Sequence, residues 1–439
     1  MTWIAVALPK FKNGEIQIPM TKDDLTWLIV LFDVGSFIIP IPSGYLMDRF
    51  GRLFCIWLCS IFSTTTAVLA IYATAPYHLW AARFLAGMSK GIGFTVVTVY
   101  VAEIAGPKIR GALNGMFVFM MSTGSIVAVG VGSLVSIEAV HWIALIFPTL
   151  QIFLLFFATE SPYYFYIRNN NKSAVKALRQ VRDEADIIST EKELEAIKRC
   201  VEEDMKRPKN LSSLLTDKGD RKALFVVLMT AWLQRYGGVC IIFTYATSTL
   251  PSNAFWNVRN THIIFIVVSM IFSLLSLSLV DWCGRKPLLI GSNFGTSLVT
   301  GASAVFYYYH QLTDVDVSRF IFVPHVCMIM FIMFYVMGAG PIPHTLQGEM
   351  LPTRVKSQVS AVFTMMQAIS NFTVHKIYNI VDTQIGVYIM YLFSSVCSMI
   401  FVLFTIFVVV ETKGKTLPEI QYELNLGKRP SSKLEETTN

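Results

Sequence analysis

Eleven stretches of roughly twenty apolar residues, separated by polar turns, constrain this chain more than any other feature. They fall near 25–46, 53–74, 79–101, 111–135 and 140–158. After a long charged segment they resume near 222–247, 261–281, 287–309, 319–343, 354–379 and 385–410. A run of this length crosses a bilayer as a helix, which satisfies every backbone donor and acceptor without water. A transmembrane barrel would instead alternate apolar and polar residues over segments of about 10 residues, and no such alternation is present. Only 15% of the 439 residues are charged, against about 25% in soluble proteins. The expected fold is an all-α polytopic membrane protein.

The chain also reads as a duplication. The turn Asp48-Arg49-Phe50-Gly51-Arg52 lies between two apolar runs, and Asp281-Trp282-Cys283-Gly284-Arg285-Lys286 follows it at an offset of 233 in the same setting. Both read Asp-x-x-Gly-Arg. Glu103 precedes Arg110 by seven positions, and Glu349 precedes Lys356 by the same distance with Arg354 between them. Glu160-Ser161-Pro162 is matched by Glu411-Thr412-Lys413 at an offset of 251. Offsets this similar imply one ancestral unit of about six spans, and parallel repeats of that kind suit an alternating-access carrier. Its solute site would lie between the halves near mid-membrane. Asp48, Arg49, Arg52, Glu103, Arg110, Glu160, Asp281, Arg285, Lys286, Glu349, Arg354 and Glu411 are then gating and structural charges. They are expected to pair across the halves when the cavity faces outward, and not to touch solute.

The organisation follows. Residues 1–158 form an N-terminal bundle and 222–410 a C-terminal bundle. Residues 159–221 form a loop with short amphipathic helices, and 411–439 form a tail. Met1–Pro9 is too short to span and reads as the end of a truncated first helix, leaving eleven full spans. Val175, Leu178 and Val181 recur at helical spacing in the loop, and Thr190-x-x-Glu193 is a capping box. Lys and Arg concentrate in alternate turns, the central loop and the tail, so the positive-inside rule places loop and C-terminus in the cytoplasm of a multi-pass cell-membrane protein. The net charge of +7 arises from this bias and implies no nucleic-acid partner. No cysteine falls in an outer loop, so no structural disulfide is expected.

Several of these motifs carry a resemblance. Gly44–Arg52, Tyr100-Val101-Ala102-Glu103 with Arg110-Gly111, Glu160-Ser161-Pro162, Asp281–Lys286, Gly340-Pro341-Ile342-Pro343 and Glu411-Thr412-Lys413-Gly414-Lys415 together resemble the sugar porter family of the major facilitator superfamily. The likeness is greatest to the insect branch of facilitated trehalose and glucose carriers. It implies two six-helix halves and facilitative transport of a sugar of the trehalose or hexose class. It also implies a sugar-facing Gln-Gln-x-x-Gly-x-Asn motif, where this chain has Gln234-Arg235-Tyr236-Gly237-Gly238-Val239-Cys240. Gln234 keeps the first amide; Arg235 and Cys240 replace the second Gln and the Asn. Val118 stands for a family Gln, His344 for a Trp, and Gln367-Ala368 for Asn-Trp. The frame therefore matches and the sugar contacts largely differ.

The candidate substrate-binding residues are Gln234, Arg235, Tyr245, His344 and Gln367. Amides suit sugar hydroxyls because they both donate and accept. Tyr245 lies eleven residues after Gln234, on the same face of a regular helix. Asp33, Lys90 and Arg235 place charges inside spans, each disfavoured by about 2.5–3.5 kcal/mol on insertion scales. Three readings stay open: Asp33 pairs with Lys90 or Arg235, Arg235 binds an anion, or each faces a wet cavity. No catalytic triad, metal spacing or phosphate loop is present, so the chain reads as no enzyme and needs no cofactor. The expected partners are a small polar solute and the lipid bilayer, with a functional monomer. The alternatives are a carrier for a non-sugar polar or anionic solute, and a non-transporting membrane sensor or degenerate paralogue.

Overall fold

The computed structural model describes residues 18–105, 110–132, 135–182, 218–251, 258–313, 317–352 and 355–415, with isolated positions elsewhere. No strand occurs among the described residues. The first span is broken into α1 (Lys22–Ile38) and α2 (Pro40–Phe50), because Pro40 lacks the N–H that would continue the helix. A reciprocal cap starts α1: the Asp24 amide donates to the Thr21 hydroxyl, and the Thr21 amide donates to the Asp24 carboxylate at 2.8 Å. Then come α3 (Arg52–Ile71), α4 (Pro76–Ile92), α5 (Thr98–Ile104), α6 (Arg110–Ile126) and α7 (Ile137–Leu155). The loop carries α8 (Pro162–Ile167) and α9 (Asn171–Val181). They pack through Tyr166, Ala174 and Leu178, with Leu194, Ile197 and Val201 in the same cluster and Val175 at its edge.

The second half runs α10 (Lys218–Gln234), α11 (Cys240–Thr249), α12 (Val258–Cys283), α13 (Arg285–Leu312), α14 (Phe322–Phe334), α15 (Ile342–Met350), α16 (Lys356–Gln384) and α17 (Val387–Phe407). Among the described residues, nine helices are long and apolar enough to cross a membrane. The runs expected near 111–135 and 354–379 are helical as well, as α6 and α16. The second of these carries many polar residues because it faces inward: Ser360, Thr364, Gln367, Ser370 and Asn371 are all buried. By contrast α7 and α17 expose Phe147, Leu150, Phe153, Val396, Ile400 and Leu403 on their outer faces. That surface suits lipid and would aggregate in water.

The duplicated motifs fold into one cluster built twice. Arg52 and Glu103 pair at 2.9 Å, and Arg285 and Glu349 pair at the same distance; all four side chains are buried. Glu160 accepts from the Leu53 amide at 2.9 Å, and Glu411 accepts from the amides of Arg285 and Lys286 at 2.9 Å. Each carboxylate thereby satisfies orphan donors at a helix start, of α3 and α13 respectively. The hydroxyl of Ser161 donates to Glu103 and that of Thr412 to Glu349. Gly51 and Gly284 hold φ of 101° and 93°, and a Cβ there would strike the Glu160 or Glu411 carboxylate. Burial raises the Glu160 carboxyl above its ordinary range, and amides of Ser161, Leu53 and Arg52 with the Arg52 charge pull it back.

This arrangement corrects the expectation that the motif charges pair across the halves. Both ion pairs lie within a half. Arg49 is exposed, with its guanidinium near Tyr45 and Phe50 and its carbonyl bonded by Tyr164, and Lys286 reaches the Ile406 carbonyl at 2.8 Å. The side chains of Arg110 and Asp281, and residue Arg354, lie outside the described residues, as does the Thr190 capping box. One contact that does cross at this end is neutral to charged: the Ser357 hydroxyl donates to Asp48 at 2.8 Å.

Removing one partner of a buried ion pair costs about 3–5 kcal/mol. We therefore expect Arg52→Gln and Arg285→Gln to lower the apparent melting temperature in detergent by similar amounts. A large drop in one and none in the other would break the equivalence of the two clusters.

Candidate functional site

The helices that meet between the halves are broken at their middles. Wider π-type turns interrupt them at Gly93–Val97, Arg235–Val239 and Tyr335–Ala339. Such turns release backbone groups and re-aim side chains, which is why they recur at functional sites. Here they turn two polar ladders toward each other. Gln367, Asn371 and His375 stand four residues apart on one face of α16. Opposite them come Arg235, Cys240 and Tyr245. Arg235 donates to the Gln367 carbonyl oxygen at 2.8 Å, Cys240 Sγ contacts Asn371 Oδ1 at 2.8 Å, and the Tyr245 ring meets His375 edge-on at 5.7 Å.

The first half contributes Asp33 from α1 and Lys90 from α4. Asp33 and Arg235 both act electrostatically on Lys90. No ion pair joins Asp33 to either cation among the described residues, so of the three open readings the direct pairing is not made. The Lys90 ammonium instead lies 4.9 Å from the centroid of the Phe32 ring.

The candidate residues divide by role. Gln234 donates to the carbonyls of Ala339 and Gly340 at 2.8 and 2.9 Å, and its oxygen accepts from Gln367 at 2.7 Å. It thus clips the broken α10 to the broken α14–α15 rod, and both its donors are taken by protein. Tyr245 stacks flat on Tyr378 with centroids 3.7 Å apart. His344 is enclosed by Phe94 at 5.3 Å, Phe117 at 6.3 Å and Phe363 at 5.3 Å, from both halves. These rings, with the Thr95–Thr364 hydrogen bond of 3.1 Å, close the halves below the ladders on the motif side. Arg235 and Gln367 remain as solute-facing candidates. The side chain at Val118 lies outside the described residues.

Several polar atoms here are buried without a hydrogen-bond partner among the described residues. They include Lys90 Nζ, Arg235 Nε, His344 Nδ1, Asn371 Nδ2 and His375 Nδ1. A buried orphan donor is disfavoured by about 1–3 kcal/mol. Their grouping between the two half-bundles makes this the candidate position for a polar solute. Asn371 and His375 escaped the sequence reading, although their four-residue spacing from Gln367 placed them on its face.

Two repeated bundles, broken helices and a polar centre closed on one side define a carrier of the major facilitator type. Comparison with known proteins gives the family. The model of the family described as "Sugar (and other) transporter" matches residues 7–424, and the chain belongs to that family. It is 28% identical over 426 residues to a Bombyx mori protein named facilitated trehalose transporter Tret1, covering 96% of this chain and 83% of that one. It is 28% identical over 406 residues to the Mus musculus protein named solute carrier family 2, facilitated glucose transporter member 2, covering 89% and 76%. The fold superposes with a TM-score of 0.80 on the proton:xylose symporter XylE bound to 6-bromo-6-deoxy-D-glucose, at 19% identity, covering 96% of this chain and 95% of that chain. Members of this family are transporters, not enzymes.

The clip role of Gln234 has a direct consequence. Gln234→Ala leaves two backbone carbonyls and the Gln367 amide without partners, so it should lower the sugar-free melting temperature in detergent as well as any uptake. An unchanged melting temperature with lost uptake would make Gln234 a plain solute ligand.

Proposed function

We propose that this chain carries a sugar of the trehalose or hexose class across the cell membrane by alternating access, downhill and as a monomer. The central loop and C-terminus face the cytoplasm, and the motif clusters stiffen each half at that side. The observation that supports this reading is the group of buried polar atoms between the halves that lack partners among the described residues, bounded on the motif side by His344 and its aromatic neighbours. Residues 1–158 and 222–410 act as the two rocking bodies, joined by 159–221, with 411–439 as the tail. Arg235 and Gln367 are the solute contacts in this scheme; Gln234 holds them in place, and Tyr245 with Tyr378 lines the opposite approach. The names of the Bombyx mori and Mus musculus relatives support a sugar as solute and a facilitative mode.

Two measurements test it. In a host lacking its own sugar carriers, the full chain should give saturable uptake of at least one sugar from a labelled panel that includes trehalose and glucose. Uptake should level off when inside and outside concentrations are equal. Surface-expressed, folded protein that moves none of the panel would sink the reading.

The second measurement concerns closure. A Cβ built at Gly44 lies 3.5 Å from Cβ of Ala361, within the disulfide range of about 3.5–4.5 Å. The pair Gly44→Cys with Ala361→Cys should cross-link under oxidation, stop uptake, and regain it on reduction. Free uptake through a fully cross-linked protein would mean that the halves do not part at this end.

A further inference from the structure

The charges at the solute site do not balance, and this bears on which sugar the proposed carrier takes. Three cations stand near a single carboxylate: Arg83, Lys90 and Arg235 against Asp33. Arg83 is already held. Its Nε donates to the Leu28 carbonyl at 2.9 Å, and the rings of Phe32 and Trp3 lie 4.4 and 5.5 Å from its guanidinium carbon.

Each of the other two cations keeps a buried nitrogen without a hydrogen-bond partner among the described residues. Lys90 Nζ is buried without a hydrogen-bond partner. Arg235, 9% exposed, gives one nitrogen to the neutral amide of Gln367 and leaves Nε unpartnered. The groups that face them from α11, α15 and α16 are Cys240, His344, Asn371 and His375, none of them acidic. A guanidinium stays charged at any accessible pH, and an unmatched charge inside a membrane protein is strongly disfavoured. A neutral sugar would supply hydroxyls to these donors but leave the cations in excess of the one carboxylate, Asp33.

We infer that the solute is a sugar bearing an oxyanion, with the anion held between Arg235 and Lys90. Its hydroxyls then meet Gln367, Asn371 and His375. An oxyanion matches the fork of a guanidinium and takes a further proton donor from an ammonium, so it satisfies the orphaned nitrogens and the charge excess together. This inference rests on the carrier reading above and narrows its substrate class. Carboxylate and phosphate share the required chemistry.

The test uses the full chain in a host without its own sugar carriers, comparing initial uptake of labelled glucuronate, glucose 6-phosphate and glucose at equal concentration. One of the two anions should enter about tenfold faster than glucose, the factor expected of one or two charge-assisted hydrogen bonds. Which anion wins separates a carboxylate from a phosphate site. Arg235→Gln should erase the preference, and Arg235→Lys, which keeps charge without the fork, should retain part of it. Glucose entering as fast as both anions overturns the inference and leaves the sugar-carrier reading standing. If no sugar enters, thermal stabilisation of the purified protein decides. A shift with glucuronate or glucose 6-phosphate and none with glucose supports the anion site while the carrier reading fails; no shift with either anion overturns both.

Discussion

The buried arginine–glutamate pair, made once in each half, is the interaction on which the architecture rests. An unpaired charge at either position would sit in an interior that cannot solvate it. The pair therefore fixes where α3 begins relative to α5, and where α13 begins relative to α15. The glutamate from the end of each half then caps the same helix start, through Glu160 and Glu411. Three segments far apart in sequence are held at one point, and each half becomes a rigid body. Because the pairs are internal, they do not resist separation of the halves. The halves also meet directly at this end, through the Ser357–Asp48 bond and the close approach of Gly44 to the Ser357 carbonyl at 3.2 Å from a built Cβ.

The centre depends on the opposite device, irregular backbone. A continuous α-helix would send Arg235, Cys240 and Tyr245 around its circumference. The wide turn at Arg235–Val239, with a left-handed Gly238 (φ 99°), instead lines them up against α16. Gln234 bonds the carbonyls of Ala339 and Gly340, which lie at the corresponding break of the α14–α15 rod. The two breaks stabilise each other, which is why an amide that resembles a sugar ligand in the sequence acts as a strut in the structure.

Much of the scaffold was legible in the sequence because each signal had a local physical cause. Long apolar runs force spanning helices, and Asp-x-x-Gly-Arg forces a capped turn. The pairing partners were not legible: Arg52 and Glu103 are 51 positions apart, and spacing alone does not distinguish a bond within a half from one across halves. The candidate site was read in part. Arg235, Gln367 and His344 were visible as departures from a family motif. Asn371 and His375 were concealed because a Gln, Asn, His series on a helix also fits ordinary interior hydrogen bonding. The aromatic enclosure of His344 arises from four separate segments, and no local pattern announces it.

The two halves share a plan but not a task. Around α10 and α11 the second half packs α13, α15, α16 and α17. In the first half, α3, α4, α6 and α7 wall a cleft of about 610 Å³ lined by Ala67, Ala82, Ala86, Gly124, Ala128 and Ala144 among others, with Trp3 at its side. Small residues there permit close approach of a helical surface, as glycines do where α1 crosses α4 at Gly35 and Gly87. The consequence is an unequal centre. Both polar ladders belong to the second half, while the first half supplies Asp33, Lys90 and the rings of Phe94 and Phe117. Charge and closure are thus shared between the bodies, since Arg235 and His344 come from the second half.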